Sequence, residues 1–186
     1  SPNSHNNHHN HSKQISNSNR ENMMSDLFNT KQEAEEAASK YGCKLLEKNK
    51  CNFIVISCNT AHYWFDDLQK KIGIPIINMP KEVFKFTKKN CKKNSKVGLL
   101  ATEGTLKTGV YNKFFDETYQ LVNPSENLQK NSVNKAIKFV KMGNVRAAEK
   151  AIKPAIKYLL KMKCKKIILG CTELPIAIFA FKSFKN

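Results

Sequence analysis

Two of the six cysteines are followed by residues that could do chemistry. Cys58 lies in Ser57-Cys58-Asn59-Thr60-Ala61-His62, and Cys171 lies in Gly170-Cys171-Thr172-Glu173-Leu174-Pro175. Taken singly, a cysteine at a strand end reads as a small buried hydrophobe. Asn59, Thr60, Thr172 and Glu173 alter that reading, because they are poor core residues and good partners for a substrate or a thiolate. Cys43, Cys51, Cys91 and Cys164 lack such neighbours and read as structural. A thiolate is a soft base with an ordinary pKa of about 8.5. One thiolate and one thiol on opposite faces of a carbon could remove an α-hydrogen and return a proton to the other side, which inverts the centre. Backbone amides after each cysteine, with Asn59, Thr60 and Thr172, are the expected donors to the negative charge that develops beside the carbon. Helix N-termini beyond the cysteines are expected to lower the thiol pKa values.

The elements needed to position such a pair are legible. Phe53 to Ser57, Ile74 to Asn78, Lys96 to Ala101, Tyr119 to Val122 and Lys166 to Leu169 are short apolar runs of the kind found in buried parallel strands. Between them the pattern predicts helices from Thr30 (a capping box with Glu33) to Lys48, over Ala61 to Ile72, Glu82 to Asn90 and Thr108 to Phe115. Others are expected over Glu126 to Lys141 and Asn144 to Met162, the last with a possible kink at Pro154. Strands alternating with helices mean βαβ units and a mostly parallel sheet.

An internal echo sharpens this. Cys51 to Thr60 and Cys164 to Glu173 share one plan: helix, polar turn, apolar strand, small residue, cysteine, polar residues. Ligands of parallel α/β sheets sit beyond the carboxyl ends of strands, and both cysteines fall there. The expected architecture is therefore α/β with two similar lobes, each a parallel sheet flanked by helices, and an active site in the cleft between them. The expected organisation is an Asn/Ser/His-rich loop or tail over 1–22, part of a first lobe over 23–93, a second lobe over 94–172 and a return segment toward the first lobe over 173–186. The tail is too polar to offset its ordering entropy by burial, and His5, His8, His9 and His11 are read as low complexity rather than as a metal site.

Composition narrows the function class. The formal charge is +17, but of the 32 basic residues only Arg20 and Arg146 are arginines. Base and phosphate recognition leans on arginine forks, so the scattered lysines do not read as a nucleic-acid surface. No apolar run approaches the roughly 20 residues of a bilayer span, and no basic-then-apolar leader opens the chain. The cysteines form no Cys-x-x-Cys pair and no miniprotein disulfide pattern. Reduced thiols in the cytoplasm, without metal, are expected.

The motifs together resemble the aspartate/glutamate racemase family, and its aspartate racemase branch in particular. Cys58-Asn59-Thr60-Ala61-His62 is followed by Ile74-Pro75-Ile76-Ile77-Asn78-Met79, then Gly98-Leu99-Leu100-Ala101-Thr102-Glu103-Gly104-Thr105, Gly109-Val110-Tyr111 and Gly170-Cys171-Thr172-Glu173-Leu174. Glutamate racemases usually carry Ser where His62 stands and His where Glu173 stands. The resemblance spans roughly Arg20 to Pro175. It implies a two-lobed α/β fold, usually a homodimer, acting on a small acidic amino acid with neither pyridoxal phosphate nor metal. Cys58 and Cys171 match the family's catalytic thiols. Lys141 matches a lysine near the substrate carboxylate, although a solvated lysine at a helix end reads the same way. Arg20 matches a substrate-binding arginine in a rewritten loop, and Thr102 and Thr105 match cleft-lining positions, with Thr102 equally a helix cap. The family's opening strand and Gly-Gly-Met-Gly-Pro-like turn have no counterpart here, and its closing strand and helix are missing, so the first lobe is expected to be incomplete. A related isomerase or decarboxylase on the same scaffold, and a non-catalytic protein binding an acidic ligand, are the alternatives.

Overall fold

The computed structural model describes residues 42–179. The expectations for Arg20, for the histidines of the tail and for the Thr30–Glu33 capping box therefore lie outside the described residues. Within that range the order is α1 (Cys43–Lys48), β1 (Ile54–Val55), a 3-10 turn (Thr60–Trp64), α2 (Phe65–Lys71), β2 (Ile76–Ile77), α3 (Met79–Asn90) and β3 (Lys96–Ala101). It continues with α4 (Glu103–Thr108), α5 (Asn112–Phe115), β4 (Gln120–Val122), α6 (Glu126–Leu128), a π-helical segment (Gln129–Asn134), α7 (Lys135–Lys141), α8 (Val145–Lys161), β5 (Lys166–Gly170) and α9 (Glu173–Phe179).

All strand pairings are parallel. β1 pairs with β2, Ile54 opposite Ile76, and a second sheet has the order β4-β3-β5. β3 is central because its run Val97, Gly98, Leu99, Leu100 and Ala101 has no polar position and is buried on both faces. Leu100 meets α7, α8 and α9 in one apolar cluster, while Val97, Leu99 and Ala101 meet Tyr111, Phe115 and Tyr119 on the other side. The smaller sheet packs Ile54, Ile56 and Ile76 against Leu68 and Ile72. This is an α/β molecule of parallel sheets flanked by helices in two lobes.

The internal echo extends to backbone geometry. After α1, Lys50 adopts φ 58°, its N–H bonds to Glu47 O, and the Cys51 N–H reaches back to Leu46 O at 3.1 Å. After α8, Lys163 adopts φ 60°, its N–H bonds to Leu160 O, and the Cys164 N–H reaches back to Leu159 O at 3.2 Å. Both are Schellman closures with a left-handed lysine and then a cysteine. Cys51 and Cys164 are thus the first residues of the turn that feeds each strand, a structural position.

Several helices are shorter than their periodicity suggests. The first described helix begins only after Gly42, whose φ of 67° is incompatible with a continuous α-helix. The stretch from Ala61 starts as a 3-10 turn, and Gly109 at φ 64° stops α4 and separates it from α5. The helix from Glu126 carries a π-helical segment, with Gln129, Ser132 and Val133 turned into the core. Pro154, by contrast, stays inside a helix that runs on through it. The π segment explains how: Ser132 Oγ donates to Ala151 O and accepts from the Ala155 N–H, two groups that pair with each other in an uninterrupted helix. α9 packs on α7 and α8, placing Leu174 and Ala177 in the larger lobe's core.

Candidate active site

Cys58 and Cys171 both follow strands on the carboxyl side. Cys58 comes three residues after β1 and is half-buried, and Cys171 directly follows Gly170 of β5 and is buried. The 3-10 turn after Cys58 is fastened by His62. Met79 donates its N–H to His62 Nε2 at 3.1 Å, so Nε2 is the acceptor and the proton sits on Nδ1, which donates to Cys58 O at 2.9 Å. His62 is therefore a neutral brace between the Cys58 backbone and the start of α3, not a base for the thiol.

Asn59 and Thr60 turn toward the second lobe. Thr60 Oγ1 and Thr105 Oγ1 are hydrogen-bonded at 2.8 Å, and Thr102 Oγ1 donates to Thr105 Oγ1 at 3.0 Å. Thr102 also caps α4, accepting from the Thr105 N–H at 3.2 Å. The cap reading is thus the one this hydroxyl fulfils, with a further bond to Thr105. Asn59 is buried, and its Oδ1 accepts from the Tyr111 hydroxyl at 2.6 Å.

The second constellation surrounds Cys171. Its thiol donates to Glu173 Oε2 at 2.8 Å, where the Thr172 hydroxyl also donates at 2.9 Å. Lys141, at the end of α7, pairs with Glu173 Oε1 at 3.6 Å. Burial pushes the Cys171 thiol up to about 12, with the hydrogen bond and charge of Glu173 adding to the rise and Lys141 opposing it. The backbone amide of Glu173, at the start of α9, does lower it, as expected of a helix N-terminus, but loss of water and the adjacent carboxylate outweigh that effect. Burial alone would raise Glu173, but hydrogen bonds from Cys171 and Thr172 and the charge of Lys141 hold it below the ordinary glutamate value. The proton rests on sulfur and the charge on the carboxylate.

Tyr111 joins the two constellations. A Cβ built on Gly170 would lie 3.3 Å from Tyr111 Cε2 and 3.1 Å from Ala101 Cβ. The tyrosine ring therefore packs on the residue before Cys171 while its hydroxyl holds the residue after Cys58. A larger residue there would press on Ala101, Leu99 and that ring, which would each have to give by a few tenths of an ångström. Tyr111 was visible in the sequence as part of Gly109-Val110-Tyr111, but not as the link between the motifs. Gln129 is a second residue that spacing did not reveal. It is buried, and its Nε2 donates to Ala101 O at 2.8 Å and to Asn134 Oδ1 at 2.9 Å; Asn134 in turn donates to Glu103 Oε1 at 2.7 Å. This chain fixes the β3–α4 loop on which Thr102 and Thr105 stand.

Parallel strands deliver these thiols and hydroxyls beyond their carboxyl ends, where parallel α/β sheets hold their ligands. The model of the Asp/Glu/Hydantoin racemase family matches residues 10–181, and the chain belongs to that family. Among solved structures, an aspartate racemase of Picrophilus torridus is similar with a TM-score of 0.68 at 27% identity, covering 84% of this chain and 63% of that one. An aspartate racemase homologue from Pyrococcus horikoshii gives 0.67 at 27% identity, covering 83% and 69%. Among curated proteins, the broad-specificity amino-acid racemase RacX of Bacillus subtilis is 28% identical over 133 residues, 72% of this chain and 57% of that protein. A glutamate racemase of Lysinibacillus sphaericus is 31% identical over 136 residues, 72% of this chain and 49% of that protein. The chain thus spans about half the length of the curated relatives it matches. Among the described residues no helix is long and apolar enough to cross a membrane.

Proposed function

We propose that the chain acts as a cofactor-independent racemase of a small acidic amino acid, aspartate foremost, with Cys58 and Cys171 as the paired acid and base. The observation that carries this reading is Tyr111, whose one side chain touches the neighbours of both cysteines and so keeps the two thiol segments together. One thiolate takes the α-hydrogen as a proton and the opposite thiol supplies another to the other face. Asn59, Thr60, Thr102, Thr105 and Thr172 supply amide and hydroxyl groups for the substrate, and Lys141 supplies the positive charge at its carboxylate. The aspartate racemases among the similar structures support the substrate class. A homodimer is the assembly proposed by family resemblance.

The test is deuterium incorporation at the α-carbon of L- and D-aspartate in deuterated water, followed by chiral product analysis. Other amino acids are run in parallel, since a relative is named for broad specificity. Cys58→Ser and Cys171→Ser should each lower racemisation by about a hundredfold to ten-thousandfold, the range expected when a general acid or base is removed, with the circular dichroism unchanged. Full activity in either variant would sink the proposal.

A further inference from the structure

Glu173 was expected to bind substrate, yet its carboxylate is already occupied. Oε2 accepts from the Cys171 thiol and the Thr172 hydroxyl, and Oε1 faces the Lys141 ammonium. A carboxylate so placed would repel an acidic substrate, but it is well suited to hold a proton on the neighbouring sulfur. We propose that Glu173 is a positioning residue that keeps Cys171 as the protonated member of the pair, which leaves Cys58 as the base of the resting protein. The inference rests on the two-thiol reading above. The charged groups that face Cys171 are Glu173 from α9 and Lys141 from α7. α8 offers it apolar Ile152, Ala155, Ile156 and Leu159, with Tyr158 and Cys164 as the further titratable groups of that cluster among the described residues.

The consequence is an asymmetric cycle. Cys58 as thiolate forms an S–H bond with the α-hydrogen, and the C–H electron pair stays on the substrate carbon. The Cys171 S–H bond then breaks, and its proton forms the new C–H bond on the opposite face. Cys171 is left as a thiolate beside a carboxylate, and the like-charge contact is relieved when Cys171 takes a proton from solvent and Cys58 releases its own to solvent, which restores the resting pair. Racemisation has an equilibrium constant of one, so kcat/KM is equal in both directions. The asymmetry must therefore appear as kcat and KM values that differ between enantiomers by one common factor.

The experiment follows the Cys171 ionisation through the 13Cβ shift of cysteine-labelled full-length chain between about pH 8 and pH 12. Glu173→Gln keeps an oxygen acceptor for the thiol and removes the charge. Its Cys171 titration should fall by about one pH unit or more, a tenfold rise in thiolate at fixed pH, and its two kcat values should converge. Adding Lys141→Met to that variant should move the titration back up. A Cys171 signal that stays as protonated in Glu173→Gln as in the unchanged chain, with KM raised for both enantiomers, would assign Glu173 to substrate binding and overturn the proposal. If the unchanged chain racemises nothing, the two-thiol reading falls, while the titration still decides whether Glu173 governs the Cys171 proton.

Discussion

At the scale of single residues, the two thiols share a sequence plan but not a setting. Cys58 is half-buried beside a turn braced by a neutral histidine, whereas Cys171 is buried and hydrogen-bonded to a carboxylate. The raised Cys171 pKa links to stability. In the unfolded chain the thiol ionises near its ordinary value of about 8.5; folded, it holds its proton up to about 12. The folded state therefore binds more protons in that window, and stability falls with rising pH. This contribution is complete below about pH 8.5 and is lost as pH rises through the folded value. Urea midpoints measured from pH 7 to pH 10 should decline more steeply for the unchanged chain than for Cys171→Ser, and parallel slopes would refute the linkage. Glu173 works at the other end. Its lowered pKa contributes stability above the ordinary glutamate value, lost as pH falls through the folded one, so Glu173→Gln should flatten the acid limb of the same curve. The cysteines and their polar neighbours were legible because the residue types announce their chemistry. Glu173's engagement was not, since sequence cannot say whether a carboxylate points at a ligand or at its own neighbour two residues back.

At the scale of elements, Pro154 and Ser132 form one device. Proline removes a ladder N–H and crowds the preceding turn, and the hydroxyl of Ser132 enters the opened gap to serve Ala151 O and the Ala155 N–H. A π-helical segment is what turns Ser132 inward, with Gln129 beside it. Ser132→Ala would leave a buried amide without its partner and should cost about 1–3 kcal/mol of stability. Pro154→Ala lets α8 close its own ladder, so in that background the loss from Ser132→Ala should shrink. Urea unfolding of the four proteins of this cycle measures the coupling, and strict additivity would show the two features to be independent. The strands and the parallel pairing were readable because apolar β-branched runs between amphipathic helices permit few other arrangements. The interrupted helices were not. Periodicity reports which face is apolar, and a π segment, a 3-10 turn or a glycine stop preserves that face while changing the backbone beneath it.

At the scale of the whole molecule, the site depends on how firmly two lobes are tied. Each lobe has an apolar cluster of its own: Ile54, Ile56 and Ile76 belong to one, and Leu100, Leu159 and Leu174 to another. Between the Cys58 segment and the larger lobe, Tyr63 packs on the cluster of Tyr111, Phe115 and Tyr119, and the polar ties include Thr60 to Thr105, Asn59 to Tyr111, and Lys113 to Asp66 at 2.7 Å on the surface. The exposed ion pair is worth little, so of the polar ties the two buried or half-buried hydrogen bonds matter most for alignment, since apolar packing is non-directional. Composition and pattern pointed to a cleft between similar lobes but gave no sign of the tie across it, because Asn59 and Tyr111 are 52 residues apart. Tyr111→Phe tests it with the smallest possible change. The ring stays on Gly170, the hydroxyl goes, and buried Asn59 Oδ1 loses its donor, which should cost about 1–3 kcal/mol. A mere packing role would leave turnover intact once the fold is present. A tie between thiol segments should instead lower the α-deuterium exchange rate by at least about tenfold at temperatures where the variant is fully folded, because misplacing a reacting group by an ångström costs rate far more than stability. Thr105→Val cuts the second tie, and combined with Tyr111→Phe it should lower exchange by more than either change alone. Exchange in the double variant equal to that of the unchanged chain, with both proteins folded, would show that the lobes are aligned by something other than these two bonds.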